Sequence, residues 1–260
     1  MTRELFHIYG PFSIQSFGLA FVIGLLVFSY LFLHDKRRKA IVSTDNFLNV
    51  LFYGVCVGLL GGRILALATD GSAQSITDLF AFWEGGFSLL GGIVALCLFV
   101  PWYVRYLKIP MLPFLDLVAL YAPLLQSIAR LGCLMAGCCY GGHCSLPWAI
   151  TYTDVQSLAP LHVSLHPTQL YSSLLLLCLF LFLYLLAQHK VRHKGQLLAL
   201  YIGGLGLERF VVDFLRADRE FSALPYFSLH QWIALLLILC AAIGYYVAAA
   251  KRNRIRHKQS

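Results

Sequence analysis

The chain is written in long apolar runs broken by short polar stretches. Seven runs stand out: Ser13–Leu33, Phe47–Ala68, Phe87–Leu107, Pro113–Ala136, Leu170–Gln188, Gln196–Phe214 and Leu229–Ala250. At about 1.5 Å of rise per residue, each is long enough as a helix to cross a hydrocarbon core of about 30 Å. No ten-residue segment alternates apolar with polar positions, which excludes a membrane barrel. The pattern predicts an all-α, polytopic membrane protein of seven spans, forming one integral membrane domain over 1–260. The only stretch with room for a small head is the loop 137–169, made irregular by Gly141, Gly142, Pro147, Pro160 and Pro167. The first span reads as a retained helix and not a cleaved signal peptide. Its apolar run exceeds the ~7–15 residues of such a peptide, and its basic cluster follows the run, where a signal peptide's precedes it.

Composition agrees with this pattern. The chain is 59% hydrophobic and 12% charged, where soluble chains sit near ~45–50% and ~25%. A cytosolic enzyme, a disulfide-stapled secreted domain and a disordered chain are excluded. A net charge of +8 would point to nucleic acid in a soluble protein; here its placement speaks to topology, and no nucleic-acid partner is expected. Fourteen of the 20 basic residues fall on one side, in four groups: Lys36 to Lys39, Arg105 with Lys108, Lys190 with Arg192 and Lys194, and the tail from Lys251 to Lys258. The loops 69–86 and 137–169 carry none. The positive-inside rule then puts the N-terminus outside and the C-terminus in the cytoplasm.

Six basic residues remain: Arg3, Arg63, Arg130, Arg209, Arg216 and Arg219. Arg63, Arg130 and Arg209 lie in the second, fourth and sixth spans, each near the outward end. A charge within the bilayer costs roughly 2.5–3.5 kcal/mol at the centre on insertion scales, so such residues face a cavity or a partner. Snorkelling, or pairing with Glu84, Glu208 and Asp213, is one explanation. Three guanidiniums at similar depth beside Gly61-Gly62 and Gly203-Gly204 favour another, an anionic-phospholipid site open to the outer leaflet. Glycine admits close approach, and arginine grips phosphate bidentately.

Eight cysteines fall into two sets. Cys56, Cys97, Cys178 and Cys240 lie singly in spans and read as small buried hydrophobes. Cys133, Cys138, Cys139 and Cys144 crowd the outer end of the fourth span, with His143 nearby. Their C-x4-C-C-x4-C spacing lacks the pairs of ordinary zinc sites and contains no C-x-x-C, so no metal and no cofactor are expected. A disulfide on an oxidising face and a tight helix end both remain open for this set. His166 opens the string His166-Pro167-Thr168-Gln169-Leu170-Tyr171 at the start of the fifth span, where Pro167 and Thr168 would begin and cap the helix.

At these residues the chain resembles the bacterial phosphatidylglycerol–prolipoprotein diacylglyceryl transferase family. The blocks, in the family's order, are Gly61-Gly62-Arg63, Trp83 through Gly92, Ala129-Arg130-Leu131-Gly132 through Gly141, and His166 through Tyr171. Glu208 through Arg216 follows in the sixth span. The resemblance covers almost the whole chain. It implies a seven-span fold with a periplasmic head in the bacterial inner membrane, its active site facing the outer leaflet, and a monomer. The implied reaction moves diacylglycerol from phosphatidylglycerol to the lipobox cysteine of a prolipoprotein. It implies Arg130 and Arg209 at the phosphate. Arg63, Arg216, Gly85, Gly86, Gly91, Gly92, Gln169, Tyr171 and Glu208 would line the headgroup site, with His166 as catalytic base.

The chain departs from the family's pattern at four positions. Leu90 stands where the family has histidine, Phe17 where it has tyrosine, Cys133 where it has asparagine and Cys138 where it has an acid. With the histidine gone, His166 is the residue to take the thiol proton, since histidine changes charge near neutral pH. Two other readings compete: a phospholipid-binding or lipid-transferring protein without lipoprotein transferase activity, and a thiol redox protein built on the outer cysteines.

Overall fold

The computed structural model describes residues 4–9, 12–70, 79, 86–189, 193–219 and 226–257. Two short strands, β1 (Glu4–Tyr9) and β2 (Phe12–Gln15), precede α1 (Ser16–His34). A 3-10 turn (Lys36–Ala40) leads to α2 (Thr44–Asp70), α3 (Leu89–Tyr106) and α4 (Met111–Ala136). The segment between α4 and α5 holds the short antiparallel pair β3 (Ile150–Thr151) and β4 (Ser164–Leu165). Then come α5 (Thr168–His189), α6 (Gln196–Asp213) and α7 (Leu229–His257).

A helix occupies each of the seven predicted segments. Six of them, α1 to α5 and α7, are long and apolar enough to cross a membrane. The exception is α6, whose 18 residues include Glu208, Arg209 and Asp213. The chain is thus a polytopic, helical membrane protein. Leu26, Phe52, Leu98 and Leu236 stand well exposed on helix faces that a bilayer would cover. The span cysteines follow the same logic, against expectation. Cys97, Cys178 and Cys240 are exposed and Cys56 is half-buried, because an apolar side chain in a membrane protein need not turn inward to leave water.

The chain divides into two compact units. One comprises 8–13 and 35–114 and is built on the α2–α3 pair. A Cβ at Gly61 would fall 2.8 Å from the Gly91 carbonyl oxygen and overlap Ala95, so the two backbones touch only because both positions are glycine. Ser88 caps α3 by accepting the Gly91 N–H, and its own N–H donates to the Gly62 carbonyl at 3.0 Å.

The other unit comprises 1–7, 14–34 and 115–260. Here α1 meets α4 where a Cβ on Gly132 would come within 2.7 Å of Ala20. Ser127 and Ser173 exchange buried hydroxyl bonds of 2.8–3.0 Å between α4 and α5. Asp116 of α4 accepts the N–H groups of Gly195 (2.5 Å) and Leu198 (2.9 Å) at the start of α6. A carboxylate from one helix thereby serves orphan donors of another, which no local sequence signal announces. On its other flank α6 packs along α7.

Candidate active site

The site grows from the turn that ends α4. Gly137, at φ +75°, breaks the helix, and Cys139 follows at φ +59°. The string His166–Tyr171 holds this turn from the side. Thr168 Oγ1 donates to the Cys139 carbonyl (2.8 Å) and Gln169 Nε2 to the Cys138 carbonyl (2.7 Å). Both side chains are almost fully buried. Thr168, expected to cap α5, spends its hydroxyl on the turn instead, because an unsatisfied buried carbonyl there costs more than an open helix end. Gly141 donates to the His166 carbonyl and Gly142 to that of Leu215, so the turn also ties α5 to the segment after α6. Tyr152, the centre of a small apolar core with Ala159 and Leu165, donates to the Leu134 carbonyl at 2.9 Å. Burial pushes its phenol up to about 12.

Three arginines gather beside this turn. Arg209 on α6 lies within electrostatic range of Arg216 and Arg130. Arg209 has a long ion pair with Asp213 at 3.9 Å. Arg216 forks onto Asp218 at 2.7 and 2.5 Å, with Cys139 in its electrostatic range. Arg130 is half-buried and, among the described residues, has no ion-pair partner. Glu208 is buried beside them, its Oε1 without a hydrogen bond. An apolar cavity of about 930 Å³ between α5, α6 and α7 reaches Glu208, lined by residues such as Leu179, Phe182, Gly203, Gly204 and Tyr245. An oily trough that reaches Glu208, whose charge lies in the range of Arg209, suits a ligand with an anionic head and hydrocarbon chains.

Behind the arginines sits a closed polar network. Ser228 and Gln231 form a reciprocal cap on α7: Gln231 N–H donates to Ser228 Oγ (3.1 Å), and Ser228 N–H donates to Gln231 Oε1 (3.0 Å). The Ser228 hydroxyl donates onward to Asp213 at 2.5 Å. Arg219 reaches both Gln231 Oε1 (3.1 Å) and Asp213 (3.8 Å). Asp213 thus fixes the C-terminal end of α6, which carries Arg209.

His166 and Tyr171 lie together, with His166 Nδ1 3.5 Å from the Tyr171 hydroxyl. Trp148 Nε1 donates to that hydroxyl at 2.8 Å. An indole N–H only donates, so Tyr171 keeps its own proton to offer to Nδ1. Sequence reasoning missed Trp148, which nothing in the local string predicts.

In the α2–α3 unit, Arg63 is buried and donates to the Gly86 carbonyl at 3.3 Å. Gly86 has φ +69°, and a Cβ there would sit 3.1 Å from the Arg63 guanidinium. Gly91 and Gly92 form the first turn of α3, where Gly91 is spent on packing against Gly61. Gly85 and Glu84 lie outside the described residues.

Residues 3–247 match the family model of prolipoprotein diacylglyceryl transferase. The chain is 32% identical to a phosphatidylglycerol–prolipoprotein diacylglyceryl transferase of Clostridium tetani, covering 98% of this chain and 99% of that one. It is 31% identical to the second such enzyme of Clostridium perfringens, covering 98% of each. With the protein of that name from Idiomarina loihiensis it shares 32% over 92% of this chain and 90% of the other. The chain belongs to the prolipoprotein diacylglyceryl transferase family.

Within this transferase the departures from the family's pattern have distinct surroundings. Leu90 is well exposed in the first turn of α3 and Phe17 in that of α1. Cys138, next to Cys139, donates its thiol to the Cys133 carbonyl at 3.8 Å. Hydrogen bonds from Cys133 and Cys138, and then the charges of Arg216 and Arg130, draw the Cys139 thiol well below the ordinary thiol range. Hydrogen bonding to Cys133 and Cys139, with burial, pushes Cys138 up. All eight cysteines are free thiols. The guanidiniums beside this cluster oppose a dication, so purified protein is expected to contain well under one zinc per chain, and chelators to leave activity unchanged. Stoichiometric zinc, lost in a Cys138→Ser/Cys139→Ser double variant, would contradict this.

Proposed function

We propose that this transferase moves the diacylglyceryl group of phosphatidylglycerol onto the lipobox cysteine thiol of a prolipoprotein, the first step of lipoprotein maturation. The observation that carries the reading is Arg130, a half-buried guanidinium with no carboxylate partner among the described residues, beside Arg209 and Arg216 in a chain of this family. A phosphodiester supplies the missing charge. In the reaction the acceptor thiolate attacks glycerol C3, the carbon–oxygen bond breaks, and glycerol phosphate leaves with one more negative charge. Arg130 and Arg209 stabilise that charge where it develops, and Arg216 orients the headgroup. Arg63, Gly85, Gly86, Gly91 and Gly92 are assigned to headgroup binding on the strength of the family resemblance. Glu208 steers Arg209, and Gln169 keeps the turn in place.

His166 receives the thiol proton, with Tyr171, anchored by Trp148, as the bridge to Nδ1. His166→Gln is expected to lower the rate by about 10²-fold at low pH and to recover as pH rises through the acceptor thiol's own pKa. A pH–rate profile on a lipobox peptide checks this, and a deficit that is flat with pH would remove His166 from the chemistry.

The same reading assigns seven spans to one integral domain in the bacterial inner membrane, with the N-terminus and the site on the outer side, acting as a monomer. The test of function is direct. Purified protein given phosphatidylglycerol and a lipobox peptide should add one diacylglyceryl mass to the peptide. Lipid binding without that mass would favour a phospholipid-binding protein.

A further inference from the structure

Four large apolar side chains of the segment between α4 and α5 lie outside its small core of Tyr152, Ala159 and Leu165. Leu146 is 42% exposed, Trp148 55%, Val155 85% and Leu158 54%. They sit on two turns. Leu146 and Trp148 belong to one that closes when the Ala149 N–H donates to the Leu146 carbonyl at 3.0 Å. Val155 is at the tip of the other, where the Gln156 and Ser157 N–H groups both donate to Asp154, and Leu158 follows it. Apolar groups turned outward together mark a contact surface.

Both turns are moored at the ends of spans. The Leu158 N–H donates at 3.3 Å to the carbonyl of Ala136, the last residue of α4. Gly137 permits that approach, since a Cβ there would fall 3.3 Å from the Leu158 nitrogen and 3.2 Å from that of Ala159. Trp148 Nε1 donates to the hydroxyl of Tyr171, in the first turn of α5. Beside these two mooring points begin exposed apolar stripes. Leu131 and Met135 form one on α4, and Leu170, Leu174, Leu177 and Leu181 form the other on α5. Both helices are long and apolar enough to cross a membrane, and there such stripes face hydrocarbon. The four side chains thus continue a lipid-facing surface past the helix ends, at the level where hydrocarbon gives way to headgroups. Tryptophan is enriched at that level, its ring in lipid and its N–H on a polar partner. Between Cys144 and Leu165 there is one Asp and no Glu, Lys or Arg to hold the turns in water.

We propose that Leu146, Trp148, Val155 and Leu158 form an interfacial seat whose partner is the lipid bilayer itself. Their side chains enter the upper acyl region at the C-terminal end of α4, and the segment lies on the membrane. The seat stands on burial and on the span ends alone, independently of the transfer reaction.

The full-length protein in vesicles of phosphatidylcholine and phosphatidylglycerol tests this. With Trp83→Phe, Trp102→Phe and Trp232→Phe, Trp148 is the only tryptophan left of four. Its emission should be blue-shifted, resist iodide on both sides of the membrane, and lose most of its intensity to lipids brominated on the upper acyl carbons. The emission of a water-exposed indole, quenched by iodide and untouched by brominated lipid, would overturn the seat. A blue-shifted emission that brominated lipid leaves intact would overturn it too, by showing that protein covers the ring. The wild-type chain in nanodiscs of the same lipids gives a second reading if the triple variant fails to fold. Under hydroxyl radicals, Trp148 and Leu158 should be oxidised several-fold more slowly than in the urea-unfolded chain, while His143, exposed on the same segment, keeps its rate. Oxidation of Trp148 at the unfolded rate would overturn the seat.

Discussion

Arg130→Ala and Arg209→Ala should each lower diacylglyceryl transfer by roughly 10²–10³-fold, about 2.7–4 kcal/mol of transition-state stabilisation. The two guanidiniums lie in electrostatic range of one another, an arrangement that repels unless an anion sits between. A phosphodiester carries one negative charge and the departing phosphate monoester two, so the attraction grows along the reaction. Loss of either arginine should therefore fall mainly on kcat. Lysine at either position should rescue only in part, since a point charge cannot reproduce the planar fork. Single-turnover transfer to a lipobox peptide measures the effect, with membrane fractionation to show that the variants insert. Near-wild-type turnover in both alanine variants would remove the phosphate argument.

The spans were legible because hydropathy is a local property. Runs of twenty apolar residues must be helical in a bilayer, where every backbone polar group needs an internal partner. The sixth was the hardest to read for the same reason that makes it informative: Glu208, Arg209 and Asp213 dilute its apolar run. What hydropathy could not convey was which way side chains face. The span cysteines were expected inside, yet three stand on outward helix faces, since the bilayer removes the penalty that sorts residues in water.

The site was legible in part. Arg130 and Arg209 were singled out by the cost of a charge in a span, and the fold brings them together with Arg216. Gln169 was expected at the ligand, and its Nε2 holds the Cys138 carbonyl. A glutamine reads the same in sequence whether it faces a ligand or a buried carbonyl. Trp148 on Tyr171 and Asp116 on the start of α6 were invisible for a different reason. Each depends on segments that meet only after the chain has folded, and neither leaves a periodicity or spacing to find.

Asp213→Ala should cost about 3–5 kcal/mol of stability, the range for removing one partner from a buried charged pair. Asp213 is 1% exposed and receives the Ser228 hydroxyl, with Arg209 and Arg219 at 3.9 and 3.8 Å. Removing the carboxylate takes the shared anion from two guanidiniums and strips the Ser228 hydroxyl of its acceptor. Ser228→Ala breaks the α7 cap but spares the charges, so it should cost only about 0.5–2 kcal/mol. The ranking follows from what each change leaves unpaired, not from the number of bonds removed. Denaturant unfolding in detergent measures both variants. Activity should fall further in Asp213→Ala than in Ser228→Ala, because the carboxylate also steers Arg209 toward the lipid phosphate. Equal losses of stability in the two variants would mean that the cap, and not the buried charge, joins α6 to α7.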